Sequence, residues 1–234
     1  MIDVMYADDY CLVVNKPSNL LVHHSHFARN IEEESLMECV KQELAPDAAL
    51  IHRLDRKTSG LLIIAKNKDF AARFQELFET NGIQKTYWAL VRGHVSEAAF
   101  LVESPVKNER GNYKEARTWV RSLLHFERAY DIPPYPTQRY SLVEMKPVTG
   151  RYHQLRLHAN KIAHPIINDP KHGNRHHNHY FERVLGVKEL FLHAHSLQFT
   201  HPFTSMKIEL QAPLPDFWQV FLQDELNEKS ATPV

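Results

Sequence analysis

The chain has 234 residues, 43% of them apolar and 24% charged, values close to ordinary globular averages that exclude wholesale disorder and a small disulfide-stapled scaffold and allow one large domain. Lys and Arg number 28 and so do Asp and Glu, yet the balance hides a gradient: residues 1–47 sum to −6, residues 48–175 to +9 and residues 176–234 to −3. Local potential rather than total charge sets attraction, so the basic middle can present a positive surface to phosphates, although the same run also suits plain solvated charge. Cys11 and Cys39 each lie in an apolar pattern outside any CxxC pair, as expected of buried packing residues in a reducing compartment. No run reaches the roughly 18 apolar residues of a membrane span, and the N-terminus lacks a basic start followed by a long apolar stretch, so a cytoplasmic protein with no membrane partner is expected.

In chain order, Leu12, Val13 and Val14 read as a strand entering a turn over residues 15–19, followed by a second strand at Leu20–Val22. Leu36, Val40 and Leu44 recur every four residues behind a Ser35 cap and before Pro46, which predicts a helix. Leu61–Ala65 is a continuous apolar run, hence a buried strand. Phe70, Phe74, Leu77 and Phe78 form a helical stripe opened by Asn67 and closed by Gly82 at C′. Tyr87–Val91 is a further strand ended by Gly93. Residues 96–137 read as an insertion with a hairpin turn at residues 110–112 and a stiff loop at residues 131–136. Tyr140–Met145 is a strand; Thr149 then caps a helix with Leu155, Ala159 and Ile162 on one face and Arg156 on another. Short strands follow around Phe191, Phe199 and Ile208, then a last helix with Phe217, Val220 and Phe221 inward and a frayed tail from Glu225. The pattern predicts an α+β domain over residues 1–224, with a large, mainly antiparallel or mixed sheet flanked by helices. A monomer is the default expectation.

The stretch Leu50–Lys66 puts Asp55 on a polar loop between apolar strands, with Arg53, Arg56 and Lys57 around it. A carboxylate beside cations keeps its charge at neutral pH and can serve as a nucleophile or base. The same residue also suits a structural ion pair or turn. Sixteen histidines, clustered at 23–26, 176–179 and 193–195, could be metal ligands of a hydrolase, but neither HExxH nor a cysteine cluster accompanies them. GxGxxG and Walker patterns are likewise missing from the sequence.

His52–Gly60 resembles the HRLDxxTSG signature of RluA-type pseudouridine synthases. Val14–His23 is similar to that family's NKPSGLxVH motif, Gln84–Gly93 to KxYxALVxG, Thr149–His158 to TGRxHQLRxH, and Leu192–Ala194 with His201–Pro202 to the C-terminal LHA and HP block. The resemblance runs from about residue 4 to about residue 222. Residues 135–144, and the lack of an N-terminal RNA-binding extension, are most similar to the branch that acts on tRNA at uridine 65, while relatives also modify ribosomal RNA. The resemblance implies a cofactor-free, metal-free isomerase whose partner is RNA, tRNA in that branch. Asp55 matches the reacting carboxylate, whether it attacks C6, adds to C1′ or assists removal of the C2′ proton. Tyr87 matches the active-site tyrosine, against the alternative of a core strand residue, and Arg156 matches the arginine that pairs with the carboxylate, against a surface charge. Arg53 matches the arginine that enters the space left by an extruded nucleotide; Lys16, Arg151 and Lys171 are phosphate-contact candidates. Asn19 and Asn168 stand where the family has Gly, and Asn is the residue other than Gly that best tolerates a left-handed backbone. A non-catalytic RNA-binding module would share the basic middle and the aromatics.

Overall fold

The computed structural model describes residues 2–24, 33–108, 111–219, 221 and 222; Arg110, Val220 and the expected tail lie outside them. The elements run β1 (Asp3–Ala7), β2 (Cys11–Lys16), α1 (Leu36–Glu43), β3 (Ala49–Leu50), β4 (Ser59–Ala65), α2 (Lys68–Glu79), β5 (Ile83–Arg92), β6 (Phe100–Glu103), β7 (Val106–Lys107), β8 (Tyr113–Lys114), β9 (Arg117–Arg128), β10 (Gln138–Pro147), α3 (Gln154–Lys161), α4 (Arg175–Arg183), β11 (Leu192–Thr200) and β12 (Lys207–Gln211). One ten-stranded sheet follows the order β1-β2-β4-β11-β5-β10-β9-β6, with β12 paired to β11 and β3 to β4. Among the described residues its pairings are antiparallel except β4 with β11, so the mixed α+β sheet expected from the sequence is present. No helix among the described residues is long and apolar enough to cross a membrane.

Local chemistry explains most boundaries. The Ser35 side chain accepts from the Glu38 amide while Glu38 accepts from the Ser35 amide at 2.7 Å, a reciprocal capping box that opens α1. Asn67 caps α2 through a 2.9 Å bond from the Phe70 amide. At its other end Asn81, not Gly82, takes the left-handed C′ position with φ 57°; Gly82 donates back to Leu77 and Asn81 to Phe78, closing a Schellman motif one residue earlier than the glycine suggested. Every residue of β4 is buried, which is why its sequence does not alternate.

Several expectations need correction. Residues 20–22 form no strand; the carbonyls of Leu21 and Val22 instead receive the amides of Leu36 and Met37 at the start of α1. Residues 96–137 are not an excursion from the fold: β9 pairs with β10 over ten positions and carries β6 on its far edge, with only β7 and β8 forming a separate hairpin. Thr149 does not cap α3, whose N-cap is His153. Leu44 lies past α1 and is exposed, and Cys39 is only partly buried, while Cys11 is fully buried. α4 was not foreseen, because six of its nine residues are His, Arg or Asn and its buried side is just His177 and Phe181.

The parallel pairing of β4 with β11 depends on Gly60. Ala194 lies opposite it, Gly60 has φ +104°, and a Cβ there would run into the Ala194 carbonyl and come within 2.7 Å of its amide nitrogen. Gly60→Ala should therefore destabilise the fold by about 2–4 kcal/mol in urea unfolding. Gly150→Ala, with nothing within 4 Å of the added carbon, should move the midpoint by less than about 0.5 kcal/mol; equal effects of the two would refute the close approach.

Candidate active site

The loop between β3 and β4 carries Asp55 on a tight turn closed by the Thr58 amide, which donates to the Asp55 carbonyl at 3.0 Å. Each flank of the turn is tied down. His52 Nε2 accepts from the Ile63 amide at 3.0 Å and its ring packs on Phe78 with centroids 4.4 Å apart. Burial, with the Lys85 charge, pushes the His52 pKa down to about 3, so the ring is neutral with its proton on Nδ1. On the other flank, Ser59 Oγ bonds to His193 Nδ1 at 2.9 Å beneath Gly60.

The β2 turn braces the same loop from below. Ser18 Oγ donates to the Lys57 carbonyl at 2.8 Å, and Arg56 Nε donates to the Asn19 carbonyl at 2.9 Å. Asn19 adopts φ 66°, the left-handed geometry its type tolerates. Lys16 corrects the sequence reading: it is fully buried, and its ammonium donates to the carbonyls of Pro17 (2.7 Å), Leu20 (3.0 Å) and Arg56 (3.0 Å). All three N–H bonds are used inside the protein, so none reaches a phosphate. Burial pushes its pKa down to about 7, while the Asp55 charge and the three carbonyls favour the charged form.

Asp55 is bonded to Arg156 rather than to the three cations beside it in sequence. Arg156 NH1 donates to Asp55 Oδ2 at 2.9 Å, and its Nε and NH2 form a two-pronged pair with Asp169 at 2.7 Å each. Asp55 has 22% of its side chain exposed, Arg156 6% and Asp169 1%. Asp169 Oδ1 also accepts the amides of Lys171 (2.9 Å) and His172 (3.0 Å). Burial works against the Asp169 carboxylate, yet Arg156 and these amides hold it below the usual carboxylate range. Burial likewise opposes the Arg156 charge, which Asp169 and Asp55 more than restore.

Two buried amides aim this network. Gln154 accepts from Thr149 Oγ1 at 2.7 Å and from the Arg151 amide at 3.1 Å, and donates to the Arg117 carbonyl and Thr118 Oγ1 at 2.9 Å each, fixing the start of α3 against β9. Asn168, at φ 60°, donates to the carbonyls of Val187 (2.8 Å) and Glu189 (3.0 Å) and so turns Asp169 inward.

These elements enclose a cleft of about 610 Å³ lined by Asp55, Tyr87, Arg156, Arg53, Arg151 and the 147–153 segment, among others. Tyr87 lies on β5 opposite Met145 and Ala194; burial and the Asp55 charge raise its pKa, so its hydroxyl stays protonated. Arg53 and Arg151 are exposed at the rim, the latter donating from Nε to the Glu115 carbonyl at 3.2 Å. Lys171 is exposed beside the cleft, its ammonium 5.6 Å from the centre of the Tyr152 ring. Asp169, His153 and His172 escaped the sequence reading, although His153 stands inside the Thr149–His158 stretch and Asp169 directly follows Asn168.

The histidine runs do not assemble a ligand set among the described residues. The trio that does converge, Asp8, Cys11 and His201, is a hydrogen-bonded knot: His201 Nδ1 accepts the amides of Phe203 (3.2 Å) and Thr204 (3.1 Å), which puts the proton on Nε2, 3.0 Å from Asp8 Oδ2.

Removing one partner of a buried pair leaves the others uncompensated, so Arg156→Ala should cost about 3–5 kcal/mol in chemical unfolding and abolish activity at Asp55; unchanged melting and turnover would contradict the pairing. Acid should also act through the core. Burial holds His52 at about 3 and His177 and His193 at about 4, below the ordinary value of about 6.5. The unfolded chain therefore takes up protons first as pH falls, so stability drops from about pH 6.5 to about pH 4 at about 1.4 kcal/mol per unit of each shift. Unfolding midpoints independent of pH across that interval would refute neutral buried imidazoles.

The RNA pseudouridylate synthase family matches residues 9–161. The chain is 35% identical over 239 residues to "tRNA pseudouridine synthase C" of Vibrio parahaemolyticus, covering 97% of each, and 36% identical over 235 residues to its namesake in Vibrio cholerae, covering 96% of each. Among solved structures, human RNA pseudouridylate synthase domain containing 1 superposes with a TM-score of 0.72 at 25% identity, covering 100% of this chain and 96% of that one. With the family pattern matched across most of its length, and with relatives aligned nearly end to end, the chain belongs to the RNA pseudouridylate synthase family.

Proposed function

We propose that the chain converts a uridine of tRNA, the one at position 65, to pseudouridine, with Asp55 as the reacting carboxylate. The reaction breaks the C1′–N1 bond, turns the uracil and joins C5 to C1′; C5 gives up a proton and N1 gains one. Nothing is oxidised and no group is donated from outside, so the balance calls for no cofactor. What it calls for is an ionised oxygen beside the glycosidic bond, a wall for the detached base and room for a nucleotide drawn out of its stack.

The observation that carries this reading is the partly exposed Asp55 carboxylate, anchored through one oxygen on Arg156 in a cleft that Tyr87 also lines. A volume of about 610 Å³ suits a nucleoside, since small-ligand clefts span roughly 300–1,000 Å³. The Tyr87 ring offers a stacking face, and its protonated hydroxyl a donor to the ribose. Arg53, exposed at the rim, fills the gap left in the RNA; Arg151 and Lys171 meet backbone phosphates. Substrate class follows the tRNA-directed names of the relatives.

Asp55→Asn should lower tritium release from C5-labelled tRNA transcripts by at least about a thousandfold while RNA affinity stays within about threefold; a variant that still turns over would sink the assignment. Mapping pseudouridine in cells with and without the gene should show loss at tRNA position 65, and loss from ribosomal RNA alone would overturn the substrate.

A further inference from the structure

We propose that His153, held by His172, is a positioning residue that pins Oδ2 of Asp55 so that Oδ1 is the oxygen presented to the substrate; the inference rests on the reading of Asp55 above. A carboxylate held by a single donor can still swing about its last torsion, which is broad for Asp. Arg156 NH1 is the donor bonded to Oδ2, and among the described residues none bonds to Oδ1. His153 Nε2 lies 3.6 Å from the same Oδ2, longer than a hydrogen bond in the free protein but the separation of contacts that tighten when substrate closes a site.

The ring cannot turn away. Tyr152 stacks on it with centroids 3.8 Å apart and planes at 18°, and Nδ1 is 3.0 Å from His172 Nε2. Of the two tautomer arrangements, the one with His172 Nε2–H donating to His153 Nδ1 leaves His153 Nε2–H facing the carboxylate. The other would set a lone pair against a negative oxygen. His172 is itself fixed, since its amide donates to Asp169 Oδ1 at 3.0 Å. The contacts form a closed circuit of Asp55, Arg156, Asp169, His172 and His153, returning to Asp55.

Burial keeps His153 neutral, with its pKa lowered to about 4, and lowers His172 as well, so the circuit supplies a donor without adding charge. Backbone geometry adds an independent observation. His153 is the N-cap of α3 at φ 52° and makes no side-chain capping bond, a left-handed placement unfavourable for a residue with a Cβ. Asn tolerates this backbone best among residues with a Cβ, so local stability does not by itself account for histidine there.

That makes His153→Asn the informative variant, because the short amide cannot reach Asp55 while the helix start is preserved. The expected result is a melting temperature equal to or above wild type, affinity for the tRNA transcript within about twofold, and kcat for tritium release about 10- to 100-fold lower. His172→Phe should act in the same direction and His172→Gln, which restores a donor, should recover most of the loss. Wild-type kcat in His153→Asn, or a loss confined to melting temperature and RNA affinity, would overturn the proposal. Absence of tritium release from the wild-type protein would instead sink the reading of Asp55, and this inference with it.

Discussion

The guanidinium of Arg156 is the point on which the site depends. It joins three segments distant in sequence: the loop of Asp55, the start of α3 and the turn of Asp169, with Asp55 and Arg156 101 residues apart. Burying one cation against two carboxylates is unfavourable unless nearly every lone pair is met, because desolvation competes with attraction in a poorly polarisable interior. Asp169 meets that condition with four donors, two from the guanidinium and two from amides. Asp55 does not. Its incomplete coordination leaves one carboxylate able to react while its twin is committed to structure, although both are bonded to the same arginine.

The sheet makes this arrangement rigid. Asp55 precedes β4 by a single turn, and β4 is buried throughout and locked to β11 by the close approach at Gly60. Tyr87 sits on β5 across from Ala194, and Ala194 pairs with Gly60, so carboxylate and tyrosine are referenced to one strand. Lys16 serves the same end from β2. An ammonium consumed by three carbonyls holds two loops together, which no neutral side chain of similar length could do.

Much of this was legible in the sequence and some was not, for reasons that divide by range. Caps at Ser35 and Asn67, the buried run of β4 and the left-handed asparagines follow from interactions within a few residues. The motif around Asp55 marked the carboxylate that lines the cleft, but its spacing pointed to Arg53, Arg56 and Lys57, adjacent in sequence, whereas the cation bonded to Asp55 is Arg156. Lys16 read as a phosphate contact because sequence alone cannot see three backbone carbonyls converging on it. β9 was lost in a polar stretch because only its first five residues alternate between exposed and buried, and the four that follow are half-buried. Asp169 and His172 matter through partners 13 and 19 residues upstream, a relation visible only once α3 and the following turn are placed.

Charge in the cleft follows a gradient that composition only hinted at. At the floor two carboxylates meet one guanidinium, with the Lys16 ammonium spent on three carbonyls and with histidines that burial keeps neutral, whereas Arg53 and Arg151 stand exposed at the rim. Thus, while Arg156 and Lys16 at the floor are committed to internal partners, exposed cations attract a polyanion to the rim. Its phosphates stay outside and only an uncharged part, the base and sugar of a single nucleotide, is admitted to the carboxylate without electrostatic cost. Discrimination between phosphate and nucleoside is in this sense a property of where uncommitted cations stop, and neutral imidazoles together with a fully engaged Lys16 around Asp55 are what keep that boundary sharp.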